Sequence, residues 1–539
     1  MAGMNPVRLQ QLMGWVTSAL ERSPATPETW LQTVCTDDAA LAEARFAPSP
    51  GRDRAYNPAM FGARAVVIST TLLVASAQAG VEPGGSIAPR SIVRHFTPAD
   101  RVSGRYQYVP FDVPAGTGTL RVSYQYDRAN GNNVVDLGLF EPGSLEIGTP
   151  AFRGYSGGAK TAVTISAADT SSGYRPGPLP AGQWHALLGL YKVDEGGVTV
   201  TVTVATEAGD DPPAPPTLAV EKPGAASRPV GARWLMGALH MHTLHSDGTV
   251  SPAELMRQAR DAGFDFVAIT DHNNTTHTSD PALGNLDRPL WIVGEEVTTP
   301  NGHANVWGLK AGDWVDFRIA LEDRRIHELV GAARRLGGLF SINHPASECA
   351  GCGWSHEVVD GIEGVEISNG RHGEVEKALA FWDKLLITGR RITGVGSSDW
   401  HAAPNPIDVA NVRVYADALS QEAILSAIRN GRVIVMGRAR DETPEIIVRA
   451  GDQAARSGGS LTVAAGTPMV VEINAASLKG RHGTLVAISN GVRGAAVSLN
   501  ESGQLALRQR ANPGYLRFEL YAEDGSLFAA TNPVYLVRP

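Results

Sequence analysis

Between residues 233 and 437 the sequence alternates between short apolar runs and amphipathic segments of helical period. The runs FDFVAIT (264–270) and LFSIN (339–343) have the length of buried strands, whereas 251–263 and 420–431 repeat apolar residues at helical spacing. Repeated strand–helix units fold into a mostly parallel sheet, because each helix carries the chain back across one face. This alternation predicts an α/β domain whose sheet is open or closed into a barrel.

The helix predicted at 251–263 has clear start and stop signals. Ser251 is the expected N-cap, Glu254 is placed to complete a capping box, and Gly263 is the expected stop. The loop before this helix is therefore expected to have a defined conformation.

Both regions that flank the α/β domain have the pattern of β structure. Residues 86–206 contain runs such as TLRVSYQYD and GVTVTVTVA between Gly, Pro and Asn turns, and they predict an N-terminal β-sandwich. Residues 440–539 return to the same pattern and predict a C-terminal β-sandwich. The segment 207–232 is rich in Pro and Ala and predicts a linker.

The segment 60–79 has the order of a secretory signal peptide. Arg64 precedes an apolar stretch, and Ala77-Gln78-Ala79 forms a small-x-small cleavage site. This interpretation makes Met60 the true start, residues 1–59 a mis-annotated or disordered extension, and the protein periplasmic or secreted. The alternative is a buried strand or helix behind a small N-terminal segment, in a cytoplasmic protein.

Two cysteines, Cys349 and Cys352, lie close together in ECAGCGW. They are too few for a structural zinc site, which needs four ligands. In an exported protein the pair is suited to a local disulfide bond, and otherwise both are free thiols.

Charge and hydropathy exclude two classes of partner. The net charge is −8, and no Lys/Arg stripe offsets it, so we expect no nucleic-acid partner. No run reaches the roughly 20 apolar residues of a membrane span. The oligomeric state does not follow from the sequence.

Histidine is concentrated in the α/β region. Of the 14 histidines, 11 lie between His240 and His401, and histidine is the commonest metal ligand. Candidate ligands follow five predicted strands, which is the edge where α/β folds build their sites. Taken singly, each is explained as a surface group, a turn residue or a helix cap. Together they predict a site for borderline divalent ions such as zinc, manganese or iron. The residues concerned are His240, His242, Asp271, His272, Glu295, Glu296, His344, Asp399 and His401.

Six motifs in this region resemble those of the PHP (polymerase and histidinol phosphatase) family. In chain order they are HMHTLHSDG, AITDHN, GEEV with GHANVWG, INHP, GVEISNG and GSSDWH. The resemblance covers about 233–437 and implies a distorted (β/α)7 barrel with two or three divalent metal ions at its C-terminal face. It implies a first site of His240, His242, Glu296 and Asp399, a second of Glu296, His303 and His344, and a third of Asp247, His272 and His401.

One ligand assignment stays open at this point. Glu295 is adjacent to Glu296, and the family pattern Gly-x-Glu favours Glu296 as the bridging carboxylate. Either residue has the chemistry of a metal ligand.

A narrower resemblance extends over most of the chain. VVDLGLFEP, FRGYSGG, GYRPGPLPAGQW, ECAGCGW and TNPVYL look like the carbaryl-hydrolase-like branch of PHP metallohydrolases, which includes enzymes that cleave aryl carbamate esters. The loops at 152–158 and 172–184 either form turns or line a substrate rim. Their candidate side chains are Arg153, Tyr155, Tyr174 and Arg175.

Three functions follow from these resemblances. The first is a hydrolase that uses a metal-bridging hydroxide to cleave a carboxylic or carbamic ester of a small molecule. The second is a phosphoesterase, and the third is an inactive barrel that serves as a binding module. His272 and His401 are expected to act as acid and base groups where a third ion is absent. Arg371 and His372, in SNGRHGE, either contact the substrate or begin a solvated helix.

Overall fold

The structure is a computed structural model that describes residues 87–167, 169–209, 228–285, 288–370 and 372–539. The predicted extension (1–59) and signal peptide (60–79) lie outside the described residues. So do most of the predicted linker, Arg371 and the side chain of His372. Residues 80–539 form one compact unit.

The first region is described within residues 87–209, and this part contains eight strands and one short α-helix, α1 (Pro98–Ser103). The strands form two four-stranded antiparallel sheets that share one apolar cluster. In one of their strands, VTVTVTVA, buried valines alternate with more exposed threonines, as a strand with one buried face requires. One sheet has the order β1 (Ile87–Phe96), β8 (Val198–Ala208), β3 (Thr117–Tyr126) and β6 (Ala162–Ser166). The other, called the front sheet below, has the order β2 (Tyr106–Val113), β7 (Gly182–Lys192), β4 (Val134–Phe140) and β5 (Phe152–Gly157).

The second region alternates strands with helices, as predicted. Its strands are β9 (Arg228–Ala238), β10 (Phe266–Ile269), β11 (Leu290–Thr299), β12 (Gly302–Trp307), β13 (Leu339–Ile342), β14 (Ile362–Ser368), β15 (Thr393–Gly396), β16 (Val409–Leu419) and β17 (Val433–Arg438). Its helices are α2 (Pro252–Asp261), α3 (Ile326–Arg335), α4 (His372–Leu386) and α5 (Gln421–Arg429).

The sheet of this region is mixed and not mostly parallel, which corrects the prediction. Its order is β15-β14-β13-β12-β11-β10-β9-β16-β17. The pairs β9/β10, β10/β11, β13/β14 and β14/β15 are parallel, but β12 is antiparallel to both β11 and β13, and β16 is antiparallel to both β9 and β17. Only two residues join β11 to β12, which suffices for a hairpin but not for a crossover. The fold class is thus α/β, while the closed (β/α)7 barrel and the two sandwiches stay predictions.

Helix α2 begins as predicted but with one change at its cap. The Ser251 hydroxyl accepts a hydrogen bond from the Glu254 amide at 3.2 Å, and Gly263 follows the helix with φ +88°. The Glu254 carboxylate does not complete the predicted capping box, because it binds Arg257 and Gln258 instead.

The last region continues the mixed sheet, because β27 (Leu527–Thr531) pairs with β17. Four of its strands form a separate sheet with the order β19 (Gln453–Ala455), β18 (Glu445–Ala450), β21 (Pro468–Asn474) and β25 (Gln504–Arg510). The buried Arg517 ties this region to α4 through Asp383, at 2.9 Å, and also pairs with Glu519 at 2.7 Å. The other strands of this region are β20 (Ser460–Thr462), β22 (Thr484–Ser489), β23 (Val492–Arg493), β24 (Val497–Ser498), β26 (Gly514–Tyr521) and β28 (Val534–Val537).

Cys349 and Cys352 are joined by a disulfide bond, with a Cα–Cα distance of 5.4 Å. The loop that they close touches the first region, where the Tyr191 hydroxyl donates to the Ala350 carbonyl at 3.0 Å. Among the helices of the described ranges, none has the length and apolar character needed to cross a membrane.

Candidate metal centre

The ends of the strands bring the predicted ligands together. His240 and His242 follow β9, His272 follows β10, and His344 follows β13. Asp399 and His401 follow β15 in the same way. Glu296 and His303 come from the β11/β12 hairpin, where Glu296 lies opposite Asn305 and His303 opposite Thr298. Because alternate residues of a strand share a face, this register puts Glu296 and His303 on the same side of the sheet.

Glu296 is the centre of this arrangement, since ring nitrogens of five histidines surround its buried carboxylate. Its Oε1 lies 3.2 Å from His240 Nε2, 3.3 Å from His303 Nδ1 and 3.3 Å from His344 Nε2, and its Oε2 lies 2.7 Å from His272 Nδ1 and 3.5 Å from His242 Nε2.

Two aspartates extend the cluster on either side of His242. Asp399 Oδ1 lies 3.1 Å from both His240 Nε2 and His242 Nε2. Asp247 Oδ1 lies 3.3 Å from His401 Nε2 and 3.7 Å from His272 Nε2. The cluster therefore continues from the buried interior to the partly exposed Asp247.

All nine predicted ligands fall into four overlapping groups, and within each group the donor atoms lie within 4.8 Å of one another. The division differs in detail from the three predicted sites, because His344 groups with His240 and Asp399, and His272 belongs to two groups. The assignment of ligands to individual ions therefore stays a prediction. The groups are His242, Asp247, His272 and His401; His240, His344 and Asp399; His240, His242 and Glu296; and His272, Glu296 and His303.

The two adjacent glutamates of β11 have different surroundings. Glu296 faces the histidines, whereas Glu295 Oε2 accepts a hydrogen bond from the Val315 amide at 2.8 Å. Burial raises the pKa of Glu295 well above its ordinary value, so its carboxyl group favours the neutral form. The geometry therefore favours Glu296 as the bridging ligand.

Several ligand atoms are buried without a hydrogen-bond partner in the part of the chain that the structure describes. They are His240 Nε2, Glu296 Oε2, His303 Nδ1 and Nε2, and His344 Nδ1. Some of these atoms approach one another closely, yet their alignment does not meet hydrogen-bond geometry. Buried polar atoms are normally paired, because leaving them unpaired costs the full desolvation penalty. Imidazole and carboxylate donors in this arrangement fit divalent cations such as zinc or manganese.

At His242 and Glu296 the electrostatics favour the forms that bind metal. Burial, together with the nearby His401 and His272, lowers the pKa of His242 to about 4, which leaves its imidazole neutral. Burial opposes ionisation of Glu296, but His272, His240 and His303 hold its pKa well below the ordinary value. A neutral imidazole beside an ionised carboxylate is the ligand pair that divalent ions require.

The backbone at two ligands lies in the left-handed region. His344 has φ +22° and Asp399 has φ +49°, a conformation that is uncommon for residues other than glycine. Such strained positions recur at functional sites, where the surrounding structure maintains them. Here the strain directs both side chains into the cluster at the ends of β13 and β15.

Residues behind the ligands were not recognised in the sequence. Glu366, inside β14, lies 3.2 Å from His240 Nδ1 and accepts a hydrogen bond from the His344 amide at 2.9 Å. Asn343 donates to Glu296 Oε1 at 2.8 Å. The available signal for Glu366 was an acidic residue inside the apolar strand GVEIS. Asp271 belongs to none of the four groups of possible ligands; it shapes the 240–247 loop by accepting hydrogen bonds from Thr243 and Ser246.

Glu366→Gln is expected to weaken metal binding by about 10–100-fold, because groups that orient a ligating histidine contribute affinity of this size. The measurement is competition with a chromophoric chelator. Glu363→Gln is the matched control: it lies on the same strand, but its carboxylate pairs with Arg429. Equal affinities for the two variants would contradict an orienting role for Glu366.

A cavity of about 390 Å³ opens beside the cluster. One wall contains Asp247, His272 and His303, and the opposite wall belongs to the first region. Of the predicted rim residues, Tyr155 lines this cavity. The other three are structural: Arg153 pairs with Glu141 at 2.6 Å, Tyr174 bonds Ser156, and Arg175 stacks on Trp314.

Comparison with known proteins finds a family match in the part of the chain that supplies most of the candidate ligands. Residues 238–363 match the family model described as the PHP domain. A search of curated proteins found no match. A solved two-domain protein from Bacteroides vulgatus ATCC 8482, described as containing a predicted PHP-like metal-dependent phosphoesterase, shares 17% identity over 57% of this chain and 96% of its own, with a TM-score of 0.34. An amidohydrolase from Chromobacterium violaceum shares 18% identity over 32% of this chain and 89% of its own, with a TM-score of 0.23.

TM-scores this low do not establish a common overall fold, so the sequence match is the finding that bears on the family. The matched segment includes seven of the nine predicted ligands, and the other two, Asp399 and His401, lie in the loop that follows β15. Residues 238–363 of this chain are thus similar to the PHP domain in the segment that supplies most of the candidate metal ligands.

Proposed function

We propose that the protein is a metal-dependent hydrolase that cleaves a carboxylic or carbamic ester bond of a small molecule, as the carbaryl-hydrolase-like resemblance suggests. The observation that carries this proposal is the opening of the ligand cluster into a cavity of about 390 Å³. The wall of this cavity that belongs to the first region includes the rings of Tyr106, Tyr155 and Tyr191, which suit an aromatic leaving group.

The ligand cluster has the chemistry that such a reaction needs. When bound, divalent ions would polarise the scissile bond and lower the pKa of water. His240, His242 and Glu296 are fully buried and would hold the ions away from solvent. His272 and His401 have side chains that are 25% and 28% exposed, so substrate can reach them.

His401 is placed to handle a proton at Nε2. Its Nδ1 lies 2.8 Å from the Asp399 carbonyl, so Nδ1–H donates there and Nε2 is turned toward Asp247. With Nδ1–H held by the carbonyl, Nε2 is the atom that would bind an ion where the third site is filled; where it is empty, Nε2 can accept a proton and the imidazolium so formed can deliver it to a leaving group.

A phosphoesterase is the second candidate, and one observation favours it. Arg105 lines the cavity, and its Nε and Nη1 atoms are buried without a hydrogen-bond partner in the described residues. A guanidinium group is a common partner of phosphate oxygens.

Parallel assays with metal-replete protein separate these functions. We expect turnover of p-nitrophenyl acetate and 1-naphthyl methylcarbamate, and at least tenfold lower kcat/KM for p-nitrophenyl phosphate. The control is the same protein after chelation, which should be inactive with all three. Turnover of the phosphate alone would overturn the ester proposal, and inactivity with all three would favour a binding module.

We also propose that the protein acts in the periplasm or outside the cell. The disulfide bond between Cys349 and Cys352 supports this location, because such bonds persist mainly in oxidising compartments.

A further inference from the structure

The first region supplies a complete wall of the cavity beside the candidate metal centre. Tyr106, Asp136, Tyr155 and Tyr191 come one each from the four strands of the front sheet, and Arg105 immediately precedes β2. Because four strands of one sheet carry them, their relative positions are fixed by backbone hydrogen bonding. This wall faces Asp247, His272 and His303, so a molecule in the cavity touches both regions.

Arg105 is the unusual member of this wall. Its Nε and Nη1 atoms are buried, yet no hydrogen bond or ion pair within the described residues satisfies them. Buried guanidinium groups normally pair with carboxylate or phosphate oxygens. Arg105 as a residue is half-buried, but its enclosed Nε and Nη1 atoms on the cavity wall need an acceptor that an anionic ligand can supply.

The charged groups near this wall are already hydrogen-bonded to other partners. The Asp136 carboxylate accepts a hydrogen bond from the Tyr155 hydroxyl at 2.7 Å, and burial raises its pKa to about 6. Lys160 already donates to the carbonyls of Leu244 and Ser246. Arg105 is thus distinguished from Lys160, whose charge is already coordinated.

The aromatic members of the wall are held rigidly. Phe317 packs against Tyr155 with ring centroids 4.6 Å apart and against Tyr106 at 5.9 Å. The Tyr191 hydroxyl is held by the Ala350 carbonyl in the disulfide loop. Rings fixed in this way provide a surface for a flat aromatic ligand at low entropic cost.

We propose that Arg105 binds a carboxylate group on an aromatic substrate that occupies this cavity. The substrate class is then an aromatic ester or carbamate with a carboxylate on its ring. This inference rests on the proposed function for the scissile bond, but the anion subsite itself can be tested without turnover.

The first test is calorimetric binding of 4-hydroxybenzoate and of phenol to the metal-loaded protein. Arg105→Met is expected to weaken 4-hydroxybenzoate binding at least tenfold while metal content stays unchanged. Arg94→Met is the matched control, because Arg94 is an exposed arginine of β1 in the same region. Equal binding of 4-hydroxybenzoate by Arg105→Met and Arg94→Met would overturn the proposal.

The second test compares 4-acetoxybenzoate with phenyl acetate. In Arg105→Met, kcat/KM for 4-acetoxybenzoate should fall at least tenfold more than that for phenyl acetate, mainly through KM. If neither ester is hydrolysed but 4-hydroxybenzoate binding still depends on Arg105, the proposed function fails and the subsite stands. If phenyl phosphate binding depends on Arg105 and 4-hydroxybenzoate binding does not, the carboxylate assignment is wrong.

Discussion

Glu296→Gln is expected to remove most of the bound metal and to lower kcat/KM by at least a hundredfold. The carboxylate of Glu296 is fully buried and lies within 3.5 Å of ring nitrogens from five histidines. A glutamine keeps the shape of the side chain but supplies neither the negative charge nor two ligating oxygens. Removing one partner from a buried charged cluster costs about 3–5 kcal/mol, which corresponds to roughly a hundredfold to a few thousandfold in affinity.

The adjacent Glu295 provides an unusually close control. Glu295→Gln changes the same residue type one position earlier on β11, also in a fully buried site. Its carboxyl group faces the Val315 amide, where a glutamine oxygen can accept the same hydrogen bond. Elemental analysis should find normal metal in Glu295→Gln and depleted metal in Glu296→Gln, and the reverse pattern would refute the assignment of the bridging ligand.

This pair of glutamates also marks the limit of what the sequence could predict. The pattern Gly-x-Glu favours Glu296, but the residues alone do not tell which face of β11 points toward the histidines. The β11/β12 register decides it, because it sets Glu296 opposite Asn305 and leaves His303 on the same side. Strand-end positions such as His240, His272 and His344 were easier to recognise, since their location follows from where an apolar run stops.

The residues that the sequence did not identify are those that contact the site from distant parts of the chain. Glu366 contacts His240 across 126 residues, and the run GVEIS by itself does not show which side chain its carboxylate faces. Arg105 and Tyr191 line the cavity because the front sheet packs against the second region, and no local pattern encodes that packing. The antiparallel β12 was missed for a similar reason, since a strand-like run does not show its direction.

Chelation of the metal is expected to lower the midpoint of thermal unfolding by about 5–15 °C at neutral pH. A ligand at 100–1,000 times its Kd stabilises the native state by about 2.7–4.1 kcal/mol. Each kcal/mol shifts the midpoint of a domain of about 150–250 residues, the size of the second region, by about 2–4 °C. Added zinc or manganese should restore the midpoint. The measurement is scanning calorimetry, and Glu296→Gln serves as the control, since it should show little response to chelator.

The decrease in the unfolding midpoint on chelation should also become larger as pH rises, because two histidines of the metal-free cluster lose their protons. Burial opposes protonation of His272, but Glu296 and Asp247 raise its pKa to about 9. Burial likewise opposes protonation of His401, while Asp247 and Asp399 raise its pKa to about 10. Both folded-state values exceed the ordinary 6.5, so these protons stabilise the metal-free protein fully below about pH 6.5 and progressively less as pH rises through 9–10. Metal binding needs the neutral rings and strengthens over the same range. The difference in midpoint between metal-loaded and chelated protein should therefore be larger at pH 9 than at pH 6.5, and a difference that shrinks with pH would show that these two histidines do not belong to the metal site.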